Sequence, residues 1–124
     1  MAVNSQLTSK LSIYRARGQA VIYHFGMKTL VPYIESVKSL LNLKTYPETM
    51  EYLGMQKQAW TNIQKGSGVA EKNAIRIAQI LNIDPIEILA VSMALKAKNK
   101  ESRDLWLKLA KNLENQRIKE KNDK

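Results

Sequence analysis

From Pro32 onward, apolar residues recur at the three- and four-residue spacing of a helix with one buried stripe. Tyr33, Val37, Leu40 and Leu41 form the first stripe, predicting a helix with Pro32 in its first turn that ends near Asn42. The segment from Tyr46 to Gly66, YPETMEYLGMQKQAWTNIQKG, predicts two short helices joined by a tight turn at Gly54. Thr45 is the cap of the first, with Pro47 in its first turn and Glu48 three residues after the cap, the capping-box spacing. In the second, Met55, Ala59, Trp60 and Ile63 make the buried stripe, which leaves Gln56, Lys57, Gln58, Thr61 and Asn62 facing outward. A loop at Gly66, Ser67 and Gly68 precedes a fourth helix from Val69 to Leu81, with apolar positions at Ala70, Ala74, Ile77, Ala78 and Leu81. Asp84-Pro85-Ile86-Glu87 is a second strong start, read as an Asp cap with Glu87 in the capping-box position, and opens a fifth helix running to about Ala97. Leu105, Trp106, Leu109 and Leu113 mark a sixth from about Glu101 to Gln116, before a charged tail, RIKEKNDK, expected to fray.

The expected fold is therefore all-α, with five to six helices, short connections and no core strand. Residues 1–26 lack a sustained helical period. Their short apolar run QAVIYHFG reads either as a strand or as a loosely packed arm. Three segments follow: an N-terminal arm over 1–26, a helical domain over 27–98, and a C-terminal helix with a charged tail over 99–124. A chain beginning at Met27 is expected to fold with an unchanged melting temperature.

Composition removes several classes of chemistry. The chain has no cysteine, so disulfides, zinc fingers of the cysteine type and thiol catalysis are excluded. His24 is the only histidine and has no second metal ligand near it, so an ordinary structural role is expected. No apolar run approaches the roughly 20 residues of a membrane span, and no signal-peptide core opens the chain; a cytoplasmic protein is expected. There is no dinucleotide or phosphate-binding glycine loop and no carboxylate pair free of capping or solvent duties, so neither an enzyme nor a metal, cofactor or small-molecule ligand is expected.

The net charge of +9 points to a polyanionic partner, but its distribution is uneven. Residues 1–26 carry three cations and no acid, residues 27–95 seven cations and six acids, and residues 96–124 ten cations and five acids. Most of the excess thus lies outside the two-helix segment, and bulk charge does not locate a binding face.

The run LGMQKQAWTNIQKG, followed by AIRIAQIL and NIDPIEIL, resembles the XRE-type helix-turn-helix proteins related to lambda repressor and Cro, over about residues 30–92. SMALKAKNKESRDLWLKLAK is similar to the tail of a phage-related subgroup. The resemblance implies a lambda-repressor-like domain that reads double-stranded DNA in the major groove through Gln56, Lys57, Gln58, Thr61 and Asn62. There Gln or Asn pairs with adenine and Lys donates to guanine. It also implies phosphate contacts from Lys65, Ser67 and the amides near Gly66 to Val69, and from Lys44, Thr45 and Tyr46 at the start of the second helix. Met50 stands where the family carries a small alanine, with Thr49 before it where an apolar residue is usual, and Trp60 fills a buried position. Either the two helices splay, or the thioether adapts to the gap.

The function so implied is a sequence-specific transcriptional regulator, a phage or prophage repressor acting as a homodimer on a palindromic operator. The C-terminal leucines are then either intramolecular core or the dimer seam. An antitoxin-type protein, binding a partner through its C-terminal helices and regulating its own operon, is the alternative. Non-specific packaging of nucleic acid by a basic domain is the third reading.

Overall fold

The computed structural model describes residues 23–24 and 27–122. The arm assigned to 1–26 lies outside the described residues except for Tyr23 and His24. These form β1 (Tyr23–His24), a two-residue antiparallel ladder with β2 (Met27–Lys28) in which Tyr23 faces Lys28 and His24 faces Met27. Six helices follow and make the fold all-α: α1 (Val31–Leu40), α2 (Tyr46–Tyr52), α3 (Ala59–Gln64), α4 (Glu71–Leu81), α5 (Pro85–Lys96) and α6 (Lys100–Asn122). No helix among the described residues is long and apolar enough to cross a membrane.

Local chemistry sets most of the boundaries. Thr45 is extended and its Oγ1 accepts the Glu48 N–H at 3.1 Å, while Glu48 Oε1 accepts the Lys44 N–H at 2.9 Å. The capping box thus closes one residue further back than its usual reciprocal bond to the cap itself. α2 ends in a Schellman arrangement, with the Met55 N–H on the Met50 carbonyl at 2.8 Å and Gly54 at φ +80°. A Cβ on Gly54 would meet nothing within 4 Å, so the turn requires glycine for its backbone angle alone. Asp84 caps α5 through the Ile86 N–H at 2.9 Å. Asn42 and Asn82, both at φ +57°, end α1 and α4 in the left-handed conformation that asparagine tolerates.

The core is built from Leu30, Ile34, Met50, Leu53, Ile63, Ile77 and Ile88, all fully buried, with Val31, Val37 and Val91 beside them. Each such side chain contributes about 1.5–3 kcal/mol relative to an exposed one. Met50 is among them, and Thr49, also buried, turns its hydroxyl onto the Thr45 carbonyl at 2.9 Å. The Met50 side chain is thus taken up entirely by the core. Leu40, assigned to the first stripe, is instead 62% exposed.

α5 is apolar on nearly every side because it is sandwiched between α4 and α6, against which it makes the most extensive helix packing in the fold. α6 departs furthest from expectation. It continues through the charged segment expected to fray, as one helix of 23 residues, and its Ala110 is buried in the common core. α6 thus packs along α5. Trp106 and Leu109 lie against that core, whereas Leu105 is 65% exposed.

Besides this packing, a buried carboxylate fastens α6. Glu87, 1% exposed, accepts the Tyr33 hydroxyl at 2.6 Å and both Arg117 Nε and a terminal guanidinium nitrogen at 2.9 Å each. Lys28 pairs with Glu114 at 2.5 Å nearby and lies over the Tyr33 ring. The spacing after Asp84 predicts a capping role for Glu87. Its side chain instead points inward and ties α1, α5 and α6 together, leaving the α5 cap to Asp84.

Candidate nucleic-acid interface

All five side chains expected to read bases, Gln56, Lys57, Gln58, Thr61 and Asn62, are exposed. They do not all lie on a helix. α3 begins at Ala59, and residues 56–58 form the turn leading into it, closed by bonds of three-residue span from the Ala59 N–H to the Gln56 carbonyl (3.0 Å) and from the Trp60 N–H to the Lys57 carbonyl (3.3 Å). The residue at the N-cap is Gln58, in helical rather than extended geometry and without a side-chain cap bond. Without a short polar cap to hold an α-type first turn, the chain enters the helix in the tighter form.

Two local bonds organise this segment. Gln58 Nε2 donates to Gln56 Oε1 at 3.0 Å, which engages one donor group and one acceptor of the pair. Lys57 pairs with Glu51 at 3.7 Å, both more than half exposed, a contact weak enough for a competing acceptor to displace. A shallow groove runs beside α3, lined by Gln56, Gln58, Asn62, Ser67 and, from α4, Asn73. Its lining carries amides, a hydroxyl and apolar floor residues, and no charged side chain. Such a surface suits a neutral hydrogen-bonding edge better than a free anion. Asn73 was not singled out by sequence because its helical position gives no signal apart from its neighbours in space.

The five positions expected to meet phosphate are less uniform. Lys44, Lys65 and Ser67 are exposed, with Lys65 at the C-cap of α3. Thr45 has its hydroxyl committed to capping α2. Tyr46 is half-buried, its ring stacked on Trp60; burial, with Glu35 adding to it, raises its phenol above the usual range, so the hydroxyl stays a protonated donor. The amides expected to approach phosphate are mostly bonded within the chain. Gly66 N–H meets the Ile63 carbonyl and Ser67 N–H the Asn62 carbonyl, both at 3.0 Å, and Val69 N–H meets Ser92 Oγ at 2.9 Å.

That last bond belongs to a clamp that fixes the loop between α3 and α4. Ser92 Oγ also donates to the Val69 carbonyl at 3.0 Å, and Lys96 Nζ donates to the same oxygen at 2.7 Å. Gly68 passes so close that a Cβ there would lie 2.7 Å from Ser92 Oγ and 2.8 Å from the Ser92 carbonyl. The clamp fixes Val69, Ala70 after it is extended, and α4 starts at Glu71 and not at Val69. On the other side, Arg76 donates twice to the Tyr52 carbonyl at 3.3 Å and lies over the Tyr52 ring, fastening the end of α2 to α4.

The chain matches no protein-family model, no curated protein and no solved structure.

Proposed function

We propose that this protein is a sequence-specific DNA-binding transcriptional regulator that presents the α2–turn–α3 unit to the major groove, with Gln56, Lys57, Gln58, Thr61 and Asn62 reading bases and Lys44 and Lys65 meeting phosphates. One observation carries the reading: five polar side chains with base-pairing chemistry are gathered, all exposed, around a six-residue helix whose opposite side is anchored in the core by Ile63. The uncharged lining of the adjacent groove supports base contact over simple attraction to phosphate. On this reading it represses by occupying an operator and excluding polymerase, as a homodimer on half-sites about one helical turn, roughly 34 Å, apart.

Selection of bound sites from random duplex DNA tests the proposal, and enrichment of a palindrome is the expected result. Gln58→Ala should then cost about 1–3 kcal/mol at one operator position and relax choice there, whereas Lys65→Ala should weaken all sequences alike and flatten the salt dependence by about one unit. Recovery of no common sequence would sink the reading. The antitoxin alternative, in which the C-terminal helices grip a partner, has less support, because α6 already spends Trp106, Ala110 and Arg117 on its own core.

A further inference from the structure

Tyr46 is the one position of the expected phosphate set whose ring has a well-defined partner elsewhere in the fold. It lies face to face with Trp60, the ring centroids 4.0 Å apart and the planes within 1° of parallel. Lys38 Nζ sits over the same ring at 5.1 Å from its centroid. A second ring at 4.0 Å leaves no room for an ammonium between the two plates, so Lys38 occupies the face away from Trp60, where the π-cloud attracts it. The resulting column takes one side chain from each of α1, α2 and α3.

α3 needs such a support. It has six residues and one fully buried side chain, Ile63. A single anchor fixes where a short helix sits but leaves its rotation about its own axis weakly determined, and Trp60 is the second large side chain that ties it down. Thr61 and Asn62 follow Trp60 directly. With side-chain tips roughly 5–6 Å from the axis of a helix, a rotation of about 20° displaces them by about 2 Å, enough to break a hydrogen bond to a base edge.

We infer that Tyr46 is a positioning residue for base reading: its ring, through the stack on Trp60, sets the rotation of α3 that aims Thr61 and Asn62, and its hydroxyl makes no contact with DNA. This rests on the DNA-reading function proposed above. It also separates Tyr46 from Lys44 and Lys65, with which the family resemblance groups it.

The test compares the full chain with Tyr46→Phe and Tyr46→Leu, titrated against a duplex selected by the wild-type protein and against random duplex of equal length. Tyr46→Phe keeps the plate and loses the hydroxyl, so it should bind both duplexes as the wild type does. Tyr46→Leu should lower the ratio of selected to random binding by about tenfold or more, comparable to one lost base contact, while random binding is unchanged. The inference is overturned if Tyr46→Phe weakens both duplexes, as removal of a phosphate contact would, or if Tyr46→Leu retains the ratio. Tyr46→Phe preserves the packing, so its result stands even where Tyr46→Leu fails to fold. If the wild-type protein selects no sequence, the DNA-reading proposal itself fails; if it does and the Tyr46 variants behave otherwise, only the positioning role fails.

Discussion

Replacing Arg117 by methionine keeps most of the aliphatic stem and removes the guanidinium, which isolates the ion pair with Glu87. The carboxylate then remains 1% exposed with a single bond, from the Tyr33 hydroxyl, after losing two charge-assisted bonds of 2.9 Å. Breaking a buried pair from one side costs about 3–5 kcal/mol. The Arg117 side chain is 38% exposed, so water can partly fill its place, and the lower end, about 3 kcal/mol, is expected. That is a large share of the roughly 5–15 kcal/mol that a small domain has in total. Urea denaturation at pH 7 should show the midpoint falling with the slope unchanged. Acid gives an independent check. Burial pushes the Glu87 carboxyl up, but the Arg117 and Tyr33 hydrogen bonds and the charges of Arg117 and Lys28 outweigh it, so its pKa is lowered in the folded protein. Its stabilising contribution is thus present above the unfolded value of about 4.3 and is lost as pH falls through the folded one. Without Arg117, burial dominates and the sign reverses, so the variant's deficit should shrink on going from pH 7 to pH 4. A deficit below about 1 kcal/mol at pH 7, or one that grows in acid, would place this pair with ordinary surface ion pairs and refute the reasoning.

Burial and the neighbouring Glu87 carboxylate raise the Tyr33 phenol far above its usual range, so stability should be fully present below the unfolded value of about 10 and decline as pH rises beyond it; Tyr33→Phe should remove most of that alkaline slope in thermal melts. Gly68→Ala would set a Cβ 2.8 Å from the Ser92 carbonyl, a backbone atom that cannot swing aside, and should cost about 1–3 kcal/mol by chemical denaturation. Gly54→Ala meets no atom within 4 Å but must hold φ near +80°; about 1–2 kcal/mol is expected, with Gly54→Asn milder because asparagine tolerates that region.

The parts of this fold that were legible in the sequence are those fixed by neighbours within a few residues. Thr45 with Glu48, Gly54, and Asp84 with Pro85 carry their capping or turn chemistry locally, and the structure uses them nearly as read. Glu87 shows why the rest was not. Its place three residues after an Asp cap mimics a capping box, whereas its partners Tyr33 and Arg117 lie 54 and 30 residues away. No local pattern distinguishes the two roles. The same bond explains the length of α6, since a polar tail that frays alone is held once its arginine meets a buried carboxylate. At the candidate site, the outward positions around α3 followed from helical spacing, which does not mark the locally bonded turn through Gln56 and Gln58; the clamp of Ser92 and Lys96 on Val69 and the stack of Tyr46 on Trp60 depend on contacts between elements.

These contacts also constrain the electrostatics of the proposed DNA complex. Residues 27–95 have one more cation than acid, and several of the cations are occupied: Lys28 with Glu114, Lys38 over Tyr46, and Arg76 on the Tyr52 carbonyl. Just beyond, Lys96 is bound to the Val69 carbonyl. Lys44, Lys65 and, next to Asn73 at the start of α4, Lys72 are left exposed, with Lys57 released from Glu51 on entering the groove. Since each neutralised phosphate contributes about 0.9 to the slope of log affinity against log salt, this surface alone should give about −3 to −4 per protomer. A measured slope steeper than about −5 would require the basic residues of α6 or the N-terminal segment to lie on the duplex, and would favour non-specific packaging over reading. A shallow slope together with strong sequence preference would leave the amides of Gln56, Gln58 and Asn62 as the main source of discrimination, which is what their exposure beside an uncharged groove leads one to expect.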